Sequence, residues 1–293
     1  MNRPKALAEL LRLSALPTAM ADIFAGYLFR HDDLAPHATF VALLAASSMI
    51  YLGGMVLNDV CDIEQDRRER PGRPIPSGRI ALPSARLLAM TLLGTGLVIA
   101  SLVSQTSAML AAVLVACVVA YDARFKATPL GPLLMGACRG LNVLLGMSTA
   151  SPIVHGPSIH FALAMTAYVI GITWFGRREA TISTRGQLAA ASALMDMAIA
   201  SMVGLLLWPD PAVQYQYFVL FPFLLLPWLS TVTYRAVENP QPALVQRGVR
   251  SALMGIVVLD AGVVCAARGP VWAFAVLALL IPYRLLGRLL SPT

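Results

Sequence analysis

The run FVALLAASSMIYLGGMVLNDVCDIEQD, residues 40–66, carries the reading on which the fold turns. From Phe40 to Leu57 it is apolar and long enough to cross a membrane as a helix. It then ends in Asn58, Asp59, Asp62 and Asp66. On a helix, Asn58, Asp62 and Asp66 recur every four residues and share a face about 12 Å long, with Asp59 at its border. Acids lined up at a membrane edge repel one another unless a cation sits among them. Ionisable groups at such a place mark a functional site by default. A row of oxygen donors suits a hard metal ion, and such an ion in turn holds phosphate. Asn58, Asp59, Asp62 and Asp66 are therefore the candidate metal ligands.

The rest of the chain reads as membrane throughout. Of its 293 residues, 58% are hydrophobic and only 13% are charged; the mean hydropathy is +0.71. Apolar runs predict about ten spans, near 14–29, 38–60, 83–103, 107–122, 131–151, 160–176, 188–208, 216–234, 251–267 and 270–287. With a cytoplasmic N-terminus, 19 of the 22 basic residues fall on the inner side, which is the positive-inside asymmetry. That distribution accounts for the net charge of +7 without a nucleic-acid partner, because the charge alternates loop by loop. The N-terminus lacks a small-residue cleavage site after a short apolar core, so no removable signal is expected. Cys61, Cys117, Cys138 and Cys265 show no metal-like spacing and read as free thiols. Without a linker or soluble segment, residues 1–293 read as one transmembrane domain. The expected location is the inner membrane of a bacterium, with the N-terminus and the acid-bearing loops in the cytoplasm.

After Asp66 the chain continues RRERPGRPIPSGRI, residues 67–80. Its prolines and glycines break the helix into an ordered loop. Arg70 and Arg73 follow the acids closely, and arginine suits bidentate contact with phosphate oxygens. Two readings stand side by side: the arginines pair with the neighbouring acids, or metal and diphosphate lie between them.

The pattern N-D-x-x-D-x-x-x-D at 58–66, followed by R-x-x-R-P-I-P-S-G at 70–78, resembles the first signature of the UbiA superfamily of membrane prenyltransferases. Tyr121 with Lys126, and Arg139 with Asn142, resemble further positions of that family, and the resemblance extends over 14–267. It implies an all-α polytopic membrane protein, a ring of about nine or ten transmembrane helices around a central cavity open to the cytoplasmic side and laterally to lipid. It also implies Mg²⁺ as the ion, a polyprenyl diphosphate as donor, and an unidentified small-molecule acceptor that takes the allylic cation. Lys126, Arg139 and Asn142 then join Arg70 and Arg73 as diphosphate contacts. Residue chemistry favours this: Arg139 lies inside a span, where an unpaired guanidinium is expensive, and Asn142 shares its face; contact with diphosphate or acceptor is weighed for the pair against a purely structural hydrogen bond. Snorkelling at the interface is the competing role for Lys126.

The chain departs from the family after the sixth span. Where the family carries a second acid-rich motif, residues 173–188 read TWFGRREATISTRGQL, with the single acid Glu179. This combination resembles the divergent EboC-type branch. Arg177 or Arg178 is a candidate to replace one metal as a fixed positive charge on the diphosphate, with Glu179 pairing or assisting. Alternatively the protein binds or moves an isoprenoid lipid without chemistry, or these arginines only anchor the inner side. Asp22, Asp196 and Asp260, within the first, seventh and ninth spans, read as interhelical hydrogen-bonding groups; of these, Asp22 is the one that a cavity-facing first span would present to an acceptor. Together with Arg139 they would form the pathway of an ion-coupled transporter. The position of the acid row at the membrane edge, and the lack of an internal repeat, count against that class.

Overall fold

The computed structural model describes residues 3–152, 155–179, 182–208 and 220–290. Within them the chain is all helical. A short surface helix α1 (Arg3–Leu10) leads into α2 (Leu16–Arg30) and α3 (His37–Cys61), the latter followed by the short α4 (Ile63–Glu69). The bundle continues with α5 (Leu82–Val103), α6 (Gln105–Ala120), α7 (Leu130–Gly146), α8 (Gly156–Phe175) and α9 (Arg185–Met202). It ends with α10 (Leu220–Glu238), α11 (Pro242–Arg268), α12 (Pro270–Leu277) and α13 (Leu280–Leu290).

Helices stand at every expected span. Among the described residues, seven segments are long and apolar enough to cross a membrane, and α7 is a shorter apolar helix. The protein is an integral membrane protein. The largest boundary difference is at α11, which begins nine residues before the expected 251, at Pro242. Proline at the first helical turn starts it. Arg247 and Arg250 then lie on helix rather than in a loop, since a helix does not stop where its apolar stretch does. The final expected span, 270–287, is two helices split after Leu277. Gly269, at φ +86°, makes the turn between α11 and α12.

Sequential helices pack side by side from α2 through α3, α5, α6, α7, α8, α9 and α10 to α11, and α11 packs back on α2. This closes the ring. The outer helices show why it is stable in lipid: Leu87, Met90, Val98 and Leu102 of α5, and Met109 and Val113 of α6, are exposed apolar side chains. Small residues set the inner approach, as expected where apolar association alone gives helices no drive. Gly26 of α2 lies against α7 so closely that a Cβ there would sit 2.2 Å from the Val143 carbonyl oxygen and 3.2 Å from Gly146 Cα. Tyr168 of α8 crosses to α11 and donates to the Ala252 carbonyl at 2.9 Å.

The α2–α7 approach yields a direct test. Gly26→Ala forces backbone apart at a packed crossing, and overpacking of this sort costs about 1–3 kcal/mol. Thermal unfolding in detergent should show a lowered midpoint for Gly26→Ala. The same change at Gly94, where an added Cβ meets nothing within 4 Å, should leave it near the wild-type value.

Candidate functional site

A cavity of about 820 Å³ lies inside the ring. Its wall is apolar on one side, with Ile50, Leu114, Val118, Met135, Val169, Ile172 and Ile256. Its other end is charged, with Arg12, Asn58, Asp62, Arg70, Arg73, Lys126, Arg177 and Glu179. A molecule with an apolar tail and an anionic head matches that division.

The acid row is not one continuous helical face. α3 ends at Cys61, Asp62 takes φ −88° and ψ 4°, and α4 restarts at Ile63. This break divides the four residues. Asn58 and Asp62 border the cavity, whereas Asp59 and Asp66 are buried behind it, at 5% and 3% exposure. Arg73 Nη1 donates to Asp66 Oδ2 at 2.7 Å and to Asp59 Oδ1 at 3.3 Å. Arg12 Nη2 donates to Asp59 Oδ1 at 2.9 Å and to Asn58 Oδ1 at 3.3 Å. Lys126 pairs with Asp62 Oδ1. The arginines do pair with the neighbouring acids, as one of the two sequence readings had it. The pairs still leave Asn58, Asp62 and Arg73 at the cavity surface.

Two partners in this cluster were missed by sequence reasoning. Arg12 sits in the turn between α1 and α2 at φ +46°, a left-handed conformation that is costly for a side chain with a Cβ and is found at functional sites. No sequence signal shows it. Asp122 lies in the wide π turn Tyr121–Phe125 that ends the α6 segment and accepts from Asn58 Nδ2 at 2.8 Å. Its signal was present, since it sits between Tyr121 and Lys126, both singled out, at the close of an apolar run. π turns of this kind recur at functional sites. Both Arg12 and Asp122 line the cavity.

Arg139 and Asn142 are held deeper in the wall. Arg139 Nη1 donates to Asp22 Oδ2 at 2.7 Å and to the Thr18 carbonyl at 2.8 Å, and its Nη2 donates to Thr18 Oγ1 at 2.5 Å. The Asn142 amide is committed at both ends. Its Nδ2 donates to Asp22 Oδ2 at 2.8 Å and to the Ala19 carbonyl at 2.9 Å, and its Oδ1 accepts from Ser47 at 2.6 Å. Asn142 is thus tied to α2 and α3 at a point where it also lines the cavity. Asp22, weighed in the sequence as a hydrogen-bonding group, is the hub of this network.

Arg177, just past the end of α8, borders the cavity and donates to the Ala127 carbonyl, next to Lys126. Glu179 also borders it. Burial pushes the Glu179 carboxyl above the ordinary range, against the pull of Arg70, Arg12 and Arg250. The Arg178 side chain lies outside the described residues. Asp196 accepts from Ser230 at 3.0 Å, between α9 and α10, and has an interhelical role.

Among the described residues, no three His, Cys, Asp or Glu side chains gather into a metal cage. Magnesium is commonly held by one or two carboxylates together with substrate phosphates and water. Asn58, Asp62 and Asp122 are oxygen donors of that kind at the cavity surface.

The sequence profile of the UbiA prenyltransferase family matches residues 19–248. A digeranylgeranylglyceryl phosphate synthase of Methanoculleus marisnigri is 34% identical over 148 residues, which is 50% of this chain and 52% of the relative. That of Sulfolobus acidocaldarius is 40% identical over 95 residues, 32% of this chain and 34% of the relative. The chain therefore spans about half or less of these curated relatives. Among solved structures, one of a digeranylgeranylglyceryl phosphate synthase in membranes superposes with a TM-score of 0.69 at 19% identity, covering 91% of this chain and 99% of that one. A UbiA homologue from Archaeoglobus fulgidus bound to GPP and Mg²⁺ gives 0.66 at 14% identity, covering 93% and 99%.

The buried acids behind the cavity make Arg73 a stability residue as well as a surface one. Arg73→Ala leaves Asp66 and Asp59 short of a donor, a loss of about 1–3 kcal/mol. Chemical unfolding in mixed micelles should show this deficit for Arg73→Ala, and a smaller one for Arg67→Ala, whose partner Glu64 is exposed.

Proposed function

The chain belongs to the UbiA prenyltransferase family, and from that premise we propose that it transfers an isoprenoid group from a polyprenyl diphosphate to a small-molecule acceptor. The observation that carries this reading is the cavity itself: an apolar wall runs into a rim where Asn58, Asp62, Arg73, Lys126 and Arg177 face one space.

In this reading Asn58 and Asp62, with Asp122 beside them, hold Mg²⁺ against the diphosphate. Asp59 and Asp66 act on the site through Arg12 and Arg73, whose guanidinium groups they fix. Bound Mg²⁺ would supply positive charge at the diphosphate oxygens. Arg70, Arg73, Lys126 and Arg177 add fixed cations where negative charge grows as the C1–O bond breaks and its electron pair leaves with the diphosphate. The acceptor's electron pair then forms the new bond to C1, and the acceptor loses a proton. Ile50, Val118, Met135 and Ile172 enclose the tail and keep water from the allylic cation. Arg139, anchored by Asp22 and Thr18, backs the same wall.

Arg177 stands where the family has its second acid-rich motif. Arginine rather than a row of acids on that side supports a one-sided metal site complemented by a guanidinium, the feature that also suggests the EboC-type branch. The same substitution favours a second reading, binding or translocation of an isoprenoid lipid without chemistry. The names of the curated relatives make a glyceryl phosphate lipid the first acceptor to assay. The basic end of the bundle faces the cytoplasm, in a bacterial inner membrane, by the positive-inside asymmetry.

The test is release of diphosphate and formation of prenylated product from a labelled polyprenyl diphosphate by the purified protein. Asp62→Ala should lower turnover on the order of 10²-fold or more and abolish Mg²⁺-dependent donor binding. Chelation of Mg²⁺ should do the same to the wild type. Donor binding with no diphosphate release by any acceptor or ion decides for the lipid-binding reading. Arg177→Ala should weaken donor binding, and Arg177→Lys should restore it in part, since lysine keeps the charge but not the planar fork.

A further inference from the structure

Two acids stand behind the wall that holds Arg139. Asp22, in α2, and Asp260, in α11, are both fully buried at 0% exposure. The helices that carry them pack against each other, and the two carboxyl groups are close enough to interact with one another and with Arg139. Asp22 Oδ2 accepts from Arg139 and Asn142. Asp22 Oδ1 and both oxygens of Asp260, by contrast, meet no donor among the described residues.

This arrangement does not balance if both groups are ionised. Two carboxylates and one guanidinium leave a net negative charge in the apolar interior. Adjacent carboxylates that share a site do not both ionise. A carboxylic acid, unlike a carboxylate, is itself a hydrogen-bond donor. One proton on Asp260 therefore satisfies an oxygen on each residue and makes the cluster neutral.

We infer that Asp260 carries this proton and donates it in a hydrogen bond to Asp22, and that the pair is a positioning device for the cavity. The proton leaves Asp22 with a single charge directed at Arg139, so that the guanidinium and the Asn142 amide are held in the wall. The pair also ties α11 to α2, the contact that closes the ring. The reactive wall and ring closure thus share one hydrogen bond. Asp260 touches no reacting atom in this account; it acts through Asp22 and Arg139. Its effect on turnover rests on the transferase reading above, whereas the proton itself does not.

Infrared spectroscopy of the wild type without substrate tests the proton. A protonated-carboxyl C=O band should persist at neutral and mildly alkaline pH and disappear in Asp260→Asn. The other titratable groups near the cluster, Tyr51 and Tyr283 beside Arg139, give no absorption of that kind. Kinetics test the positioning. Asp260→Asn keeps a neutral donor toward Asp22 and should hold turnover within a few-fold of wild type. Asp260→Ala removes the donor and should lower kcat on the order of 10²-fold, as small misplacements at a reacting centre do, with a smaller change in KM. Absence of the band, its survival in Asp260→Asn, or equal losses in the two variants overturns the proposal. If the wild type releases no diphosphate, the band still decides the proton, and binding of a polyprenyl diphosphate to the two variants decides the positioning. The infrared comparison uses only wild type and Asp260→Asn, so it holds even where Asp260→Ala fails to fold.

Discussion

Charge compensation inside an apolar bundle is the constraint on which this molecule depends. A guanidinium within a span is tolerated only against an acid and further acceptors, and Arg139 has both in Asp22 and Thr18. Because those partners are on α2 and the arginine on α7, the pair dictates how the two helices meet. The glycines at Gly26 and Gly146 allow the backbones close enough for the bond to form. Packing and polarity are thus one requirement at this crossing: neither the small residues nor the ion pair would be useful alone.

The charged end of the cavity obeys the same rule with a different balance. Asp59 and Asp66 are buried and bonded to Arg73 and Arg12, and this part of the row is spent on ordering the loop that follows α4. Asp62 and Asn58 remain at the surface, with Lys126 on Asp62. In the proposed reading, a diphosphate with its ion would exchange partners here, the anion taking over Lys126 and the ion taking over Asp62.

Most of the fold was legible from sequence, and for a simple reason. Hydropathy is a one-dimensional property, so the spans from Phe40–Leu57 to the final helix could be read from composition along the chain. The Pro242 start of α11 and the split after Leu277 were less so, because helix geometry continues past the apolar stretch that reveals it. In the site, Asn58, Asp62, Lys126 and Arg139 announced themselves as polar groups in or beside apolar runs. Their partners did not. Arg12 reaches Asp59 from 47 positions away, and Asp22 reaches Arg139 from 117, and no local pattern encodes a contact of that span. The division of the acid row at Asp62 was also hidden, since a helix break of one residue leaves no mark in hydropathy.

The asymmetry of the two walls follows from these pairings. On the α3 side, acids outnumber the cations they can spare to a ligand, because Arg12, Arg73 and Lys126 are already engaged. On the α8 side, Arg177 is held by a backbone carbonyl, which neutralises none of its charge. An anion entering there would meet, among the described residues, a guanidinium with no carboxylate ion pair at Arg177 and cations already paired with acids on the α3 side. In the proposed reading, a divalent ion belongs on the Asn58–Asp62 side, where the cations are already paired, and Arg177 would face the diphosphate directly. In that reading the arginine complements the absence of a second acid row in residues 173–188.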